Sequence, residues 1–286
     1  MKNLLWLASY PKSGNTWMRV FLANLQKEGN EPVSINIIGD QMACSRNLFN
    51  QFSGLESTLL TDVETLNFRH KMYQFMNNAQ EKLTFLKTHS HYLSHQNGEK
   101  LFPASISHGA IYLLRSPLDL AASLANHNAS TIDASISLMS DESYTLFANA
   151  NGNIQSQLRE PISSWNQHVT SWTKEYELPI LIIRYEDMVF QPLETFSRAA
   201  HFAGLSESPE QIQKAIQNSS FDVLQKQEQT QGFREKPHKT LPFFRKGKVG
   251  SWREELSPAQ AAQIIENHGD VMRKFGYLTE SGEPVY

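Results

Sequence analysis

Lys12, Ser13, Gly14 and Thr16 fall within one short stretch, ASYPKSGNTW (8–17), directly after the apolar run Leu4-Leu5-Trp6-Leu7. A lysine charge, two hydroxyls and a glycine at the start of a helix make an anion site. The first backbone N–H groups of a helix lack intrahelical acceptors, and the helix dipole adds about half a positive charge there. In the usual nucleotide loop the lysine follows the last glycine and precedes Ser or Thr, whereas Lys12 comes before Gly14. No convincing apolar strand ends in a magnesium-binding aspartate. The anion expected here is not a metal-chelated triphosphate. For these residues alone, an ordinary strand-to-helix turn with a solvated Lys12 remains the plainer alternative.

Three further stretches carry anion-binding groups, and a fourth carries candidate bases. YLLRSPLDLAASLANH (112–127) ends an apolar run with Arg115 and places Ser123 on the following helix. RYEDM (184–188) follows another apolar run, and FRKGKVGSW (244–252) is basic and glycine-containing. FLKTHSHYLSH (85–95) holds Lys87, His89, His91 and His95. Alternate positions share a strand face, so two of these imidazoles could meet a zinc ion. No cysteine neighbours them and no acidic residue lies within the stretch, so no metal is expected. Taken singly, Trp17 and Phe221 also suit a plain core, and Arg115 a surface ion pair.

These groups need elements to carry them. Four short apolar runs read as buried parallel strands: Leu4–Ser9, 83–87, 110–114 and 179–185. Trp17, Phe21, Leu22 and Leu25 recur at helical spacing after the first loop. Leu118, Ala121, Ala122 and Ala125 do the same after the third strand, with Pro117 at a favourable helix start. Further helices are expected over 192–202, 209–217 and 258–275. Alternation of this kind predicts an α/β fold with a covered, mostly parallel sheet, whose ligands sit beyond the carboxyl ends of the strands. Residues 126–157, rich in Asn, Ser and Thr, read as an irregular insertion. Residues 225–250 read as a long, polar, lid-like loop.

Bulk properties narrow the class. A chain of 286 residues with 40% hydrophobic residues and no linker, repeat or low-complexity tract reads as one domain, 1–286. A formal charge of −3 argues against general nucleic-acid binding. The single cysteine, Cys44, excludes an internal disulfide and any Cys-pair zinc site. The first apolar stretch is too short for a signal peptide, and no run approaches the about 20 residues that span a bilayer. The expectation is a cytoplasmic protein with no membrane partner.

Together, in order and at suitable separations, 8–17, 112–127, 184–188 and 244–252 resemble the cytosolic-type sulfotransferases, which use 3′-phosphoadenosine 5′-phosphosulfate (PAPS). The resemblance runs across nearly the whole chain and implies a P-loop-like three-layer α/β fold. It implies that Lys12, Ser13, Gly14, Asn15 and Thr16 cradle the 5′-phosphosulfate, with Lys12 on the oxygen bridging phosphorus and sulfur. Trp17 would pack against adenine, with Tyr185 at its edge, Ser219 as a polar contact and Phe221 on the other face. Arg115 and Ser123 would bind the 3′-phosphate with Arg245, Lys246 and Gly247. A multiply charged phosphate asks for such arginine forks and backbone amides. LKTH (86–89) resembles the segment carrying the family's catalytic histidine, which makes His89 the general base and Lys87 an assisting charge; His91 and His95 are rim or acceptor-pocket residues.

The resemblance therefore implies sulfuryl transfer from PAPS to a hydroxyl of a small-molecule or natural-product acceptor, in line and without a metal. A kinase-like phosphotransferase and a catalytically silent nucleotide-binding protein are the competing readings. Two departures stand out: Ser251 occupies the place before Trp252 where the family usually has an acid, and the short dimerisation pattern is not recognisable in 253–262, which leaves the oligomeric state open. Insertion 126–157 resembles that of bacterial relatives acting on natural products. With 35–52 and 91–95, it is expected to border the acceptor pocket.

Overall fold

The run LLWLAS has no polar face, and all six residues of strand β1 (Leu4–Ser9) are buried, as a strand covered on both sides requires. The computed structural model describes residues 2–27, 29–38, 41–95, 98–147, 155–174, 177–205, 208–237 and 242–286. After β1 come α1 (Asn15–Gln26), α2 (Arg46–Ser53), α3 (Asp62–Ala79), β2 (Thr84–Thr88), β3 (Ser107–Leu114) and α4 (Pro117–Asn128). Then follow α5 (Ile132–Ser140), β4 (Thr145–Leu146), β5 (Glu160–Pro161), α6 (Trp165–Thr173), β6 (Ile180–Arg184) and α7 (Tyr185–Phe190). The chain continues through α8 (Pro192–Phe202), α9 (Pro209–Asn218), α10 (Phe221–Gln231), α11 (Trp252–Glu255) and α12 (Pro258–Lys274).

β1 and β2 pair in parallel, from Leu4 opposite Thr84 to Ala8 opposite Thr88. The sheet order is β2-β1-β3-β6. Helices lie between β1 and β2 and between β3 and β6 in the chain, and the result is the expected α/β arrangement of a mostly parallel sheet flanked by helices. Helix starts are strongly specified. Thr61 and Glu64, Ser208 and Gln211, and Ser257 and Gln260 form capping boxes on α3, α9 and α12.

The chain divides into two compact units, residues 1–10, 40–112 and 141–182, and residues 11–39, 113–140 and 183–286. The first has an aromatic core in which Trp6 meets Tyr73 and Phe102, each at 4.8 Å between ring centroids, and Phe102 meets Trp172 at 5.1 Å. In the second, Val20, Val33, Ile35, Ile38, Leu224, Phe233 and Phe244 form a cluster with Trp17, Phe221 and Phe243 against it.

The element boundaries differ from expectation in two regions. Residues 126–157 are not irregular throughout: 126–128 finish α4, 132–140 form α5, and 145–146 pair antiparallel with β5. Residues 148–154 lie outside the described residues. In the stretch expected as a loop over 225–250, residues 225–231 belong to α10. There the Glu228 carboxylate accepts from the backbone N–H groups of Phe243 and Phe244, at 2.7 and 2.9 Å. Residues 238–241 of that stretch lie outside the described residues.

Candidate active site

In the second unit, the chain leaves β1 through a turn that only some backbones tolerate. Lys12 has φ 71° and Gly14 φ 97°. A Cβ on Gly14 would lie 2.9 Å from Cδ2 of Tyr185, so glycine is needed there for conformation and for space. Gly14 caps α1, whose first turn has no side-chain cap and no acidic residue; its N–H groups and dipole suit an anion. The Ser13 hydroxyl is buried without a hydrogen-bond partner. Asn15 and Thr16 are buried in the first turn.

Arg115 ties this turn to two other segments. Its Nη1 donates to the Lys12 carbonyl at 3.2 Å, and its Nη2 lies 3.5 Å from the Lys248 carbonyl. Its guanidinium stacks 4.3 Å from the Tyr185 ring centroid, and its buried Nε–H has no hydrogen-bond partner. Lys12 Nζ sits 3.5 Å from the centroid of Phe243. Trp17 meets Tyr185 edge-on at 5.9 Å and Phe196 at 5.3 Å, and its indole N–H is another buried donor without a partner.

The late basic loop is docked by a carboxylate that sequence reasoning missed. Asp119, in the first turn of α4, accepts from the N–H groups of Gly250 and Trp252, at 2.8 and 3.0 Å, and from the Ser251 hydroxyl at 3.3 Å. Ser251 thus has a structural partner where the family's acid was missing. Glu186, also unforeseen, accepts from Ser116 N–H and Tyr277 O–H, each at 3.0 Å, and burial pushes its carboxyl pKa up. Gly247 has φ 64°, and a Cβ there would lie 2.4 Å from the Phe221 ring. Arg245 makes a bidentate pair with Glu255, at 2.5 and 3.1 Å, and Lys246 reaches the same carboxylate at 3.1 Å. Burial works to raise the Glu255 pKa, but hydrogen bonds from Arg245 and Lys246 outweigh it and hold it below the usual carboxylate value.

All the expected donor-holding residues belong to this unit. Contacts join Lys12, Gly14, Trp17, Arg115 and Tyr185, and separately Phe221 and Gly247. Ser123 is half-buried on α4. The buried Ser219 hydroxyl donates to the Ala215 carbonyl at 2.8 Å at the end of α9, leaving its oxygen as an acceptor.

The first unit carries Lys87 and His89. Lys87 lies on β2, its N–H donating to the Gln41 carbonyl and its carbonyl accepting from Ala43, at 2.9 and 2.8 Å. His89 Nδ1 stands 2.7 Å from the Ser9 carbonyl. A carbonyl can only accept, so Nδ1 carries the proton, and in the neutral ring Nε2 is the basic atom. The three histidines diverge. His91 Nδ1 faces the Pro161 carbonyl at 3.1 Å, while His95 packs against His70 with 5.4 Å between ring centroids. Burial lowers the pKa of both His91 and His95. Among the described residues, no group of three or more His, Cys, Asp or Glu side chains could hold a metal ion.

Two more residues here escaped the sequence reading. The buried Glu160 carboxylate accepts from Thr88 Oγ1 at 2.9 Å, His89 N at 3.0 Å and Ser90 N at 3.2 Å. Burial alone would raise its pKa, yet the His89 and Arg69 charges and these hydrogen bonds lower it below the usual value. His168 on α6 bonds the His89 carbonyl through Nε2 at 3.0 Å and Tyr112 O–H through Nδ1 at 2.9 Å. It was detectable: Trp165, His168, Val169 and Trp172 form one buried helical stripe. Glu160 gave no such signal, because its partners lie about seventy residues away.

Residues 2–276 match the family model described as Sulfotransferase domain. The chain belongs to the sulfotransferase family. This makes it a transferase of the sulfotransferase class. It is 24% identical to cytosolic sulfotransferase 17 of Arabidopsis thaliana, over 97% of this chain and 76% of that one. It is 26% identical to sulfotransferase 1E1 of Mus musculus, over 94% and 83%. The fold is shared with mouse sulfotransferase SULT7A1 complexed with PAP, at TM-score 0.59 and 18% identity over 99% of this chain and 87% of that one. It is also shared with retinol dehydratase in complex with androsterone and inactive cofactor PAP, at TM-score 0.61 and 18% identity over 95% and 81%. The sulfotransferase chain therefore has the P-loop-like α/β fold.

Proposed function

We propose that this sulfotransferase moves the sulfuryl group of PAPS to the hydroxyl of a small-molecule acceptor and releases adenosine 3′,5′-bisphosphate. The observation that carries the proposal is the set of buried donors in the Lys12–Arg115–Tyr185 cradle. Among the described residues, the Ser13 hydroxyl, the Trp17 indole N–H and the Arg115 Nε–H have no hydrogen-bond partner. Buried polar groups are almost always hydrogen-bonded, and three donors beside an uncapped helix N-terminus fit a large anion with an attached aromatic base. The structurally similar sulfotransferase and retinol dehydratase, both in complex with PAP, support the same donor.

PAPS supplies an activated sulfuryl group on a good leaving phosphate. The chain's residues do the rest in this reading. Lys12 and the first turn of α1 stabilise charge developing on the bridging oxygen, and Lys87 adds positive charge at the sulfuryl group. Arg115, Ser123, Arg245, Lys246 and the Gly247 backbone hold the 3′-phosphate. Trp17, Tyr185, Ser219 and Phe221 hold adenine. His89 Nε2 takes the acceptor's hydroxyl proton while the new O–S bond forms and the S–O bond to phosphate breaks. The structurally similar retinol dehydratase is in complex with androsterone, which supports apolar alcohols as the first acceptors to screen. Similarity to a cytosolic sulfotransferase supports a cytosolic site of action.

Titration calorimetry with adenosine 3′,5′-bisphosphate in EDTA, followed by mass-spectrometric screening of hydroxylated compounds with PAPS, tests this. Metal-free binding and a product heavier by one sulfuryl group are expected. Binding with no turnover on any acceptor would favour the silent binder, and a strict magnesium requirement the phosphotransferase.

A further inference from the structure

His89 is gripped at its main chain as well as its ring. Its N–H donates to Glu160 Oε1 at 3.0 Å, its carbonyl accepts from His168 Nε2–H at 3.0 Å, and its Nδ1–H donates to the Ser9 carbonyl at 2.7 Å. The three partners come from β5, α6 and β1. α6 extends the grip along the same segment: Trp172 Nε1 donates to the Ser90 carbonyl at 3.0 Å, and Ser171 Oγ accepts from Tyr92 N at 2.9 Å. Fixing φ and ψ of one residue from both sides is a costly arrangement unless that residue's position matters. A base placed about 1 Å wrong can lose a hundredfold in rate.

The two partners differ in charge. His168 and Glu160 are both fully buried. The His168 imidazole is held neutral by burial, so it acts on His89 only through the carbonyl hydrogen bond. Glu160 is ionised and buried beside the ring that must become an imidazolium when it takes a proton. Glu160 from β5 interacts electrostatically with His89 and with Arg69 from α3, and His168 from α6 with His89 and His91. Of these groups Glu160 is the carboxylate.

We propose that Glu160 and His168 are positioning residues for His89, with Glu160 also the buried counter-charge that supports its protonated form. The proposal rests on His89 being the base. Its consequence is a split between two variants. Glu160→Gln keeps an oxygen that can accept from the His89 N–H but removes the charge. Its kcat should fall about tenfold, and the acid limb of its kcat/KM profile should move down by about one pH unit, since imidazolium loses its counter-charge. His168→Phe fills the same space without the N–H. Its kcat should also fall about tenfold with the acid limb in place, and His168→Gln, which can again donate to the carbonyl, should recover most of the loss.

The experiment measures pH–rate profiles with PAPS and a turned-over alcohol, and calorimetric affinity for adenosine 3′,5′-bisphosphate, in these variants and in His89→Ala. Donor affinity should be unchanged in all. If His89→Ala loses at least a hundredfold while Glu160→Gln and His168→Phe keep both rate and profile, the positioning role is overturned and the base stands. If His89→Ala keeps its turnover, the base assignment falls and the positioning role with it. Should Glu160→Gln fail to fold, His168→Phe and its recovery by His168→Gln decide the positioning role. Nitrogen-15 histidine spectra of the unmodified protein then decide the ring's orientation: an Nε2-protonated neutral His89 would overturn it.

Discussion

In the second unit, which holds Lys12 and Arg115, the proposed functional side chains are fastened to backbone carbonyls, aromatic faces and a partly exposed carboxylate. Arg115 holds two carbonyls and a tyrosine ring, Lys12 lies on Phe243, and Arg245 and Lys246 share Glu255. Around His89 in the first unit, every named partner bar one carbonyl is a fully buried side chain. The difference follows the chemistry asked of each region. A cradle must exchange its internal partners for a charged ligand and release it again, so partly screened contacts of modest strength serve it. A base must present one atom at one place through every turnover, and buried networks are unforgiving of a lost partner.

The sharpest way to break that comparison is His89→Ala. If His89 is the base as proposed, its removal should lower turnover by about 10²–10⁴-fold while calorimetric affinity for adenosine 3′,5′-bisphosphate stays within about twofold, since the proposed cradle is built without it. Parallel loss of both would mean that the two regions are not separable in function.

Arg245→Ala probes the other side. Losing one charge-assisted contact should cost about 1.5–3 kcal/mol of donor affinity, with kcat at saturating PAPS little changed. The preference for PAPS over a donor lacking the 3′-phosphate should shrink but persist, because Arg115 and the Gly247 backbone remain. An unchanged preference would remove the late loop from the 3′-phosphate site.

The cradle was far more legible in the sequence than the surroundings of the base, for a physical reason. Lys12 to Trp17, Arg115 and Arg245 to Gly247 sit in turns whose residue types are dictated locally, by positive φ, by helix N-termini and by close approach. Even there the docking acid Asp119 went unread, since its partners Gly250 and Trp252 are more than 130 positions away. Strand β1 and helix α8 stand where apolar runs and proline placed them. α3 was harder to read, because its buried face includes Arg69, His70 and Asn77. Arg69 is accommodated by Tyr73, by a distant carbonyl, that of Arg159, and by the charge of Glu160. Glu160 was illegible for the same reason: a polar stretch hides one carboxylate whose burial is decided by tertiary structure.

Acid should disturb the buried side of the comparison first. Burial holds the His168 pKa well below its ordinary value of about 6.5. An unfolded chain takes up a proton there as pH falls through about 6.5, and the fold does not. The stability this residue contributes is therefore present above that pH and lost as pH falls toward the folded pKa, at about 1.4 kcal/mol per pH unit for one proton. His268, in the second unit, has the same sign, with burial lowering its pKa to about 4. Urea unfolding of His168→Phe between about pH 6.5 and 5 should show a slope shallower by one proton than the unmodified chain. An identical slope would mean that His168 is charged in the fold, and would undo its use as a neutral donor to the His89 carbonyl.

The smallest expected effect concerns Glu255. Its carboxylate holds Arg245 and Lys246, and Lys246 also reaches Glu254 at 3.5 Å. Such pairs at partly exposed positions are worth about 0.2–1 kcal/mol, so Glu255→Gln should move unfolding stability by no more than that. A 3′-phosphate that takes over these two cations must first displace the carboxylate. Freeing them should tighten adenosine 3′,5′-bisphosphate binding by about threefold at low salt, with the gain vanishing as ionic strength screens the pair. Weaker binding in the variant would instead mean that Glu255 aims Arg245 at the phosphate. The late loop would then be built like the region around His89, on a partner that must stay in place.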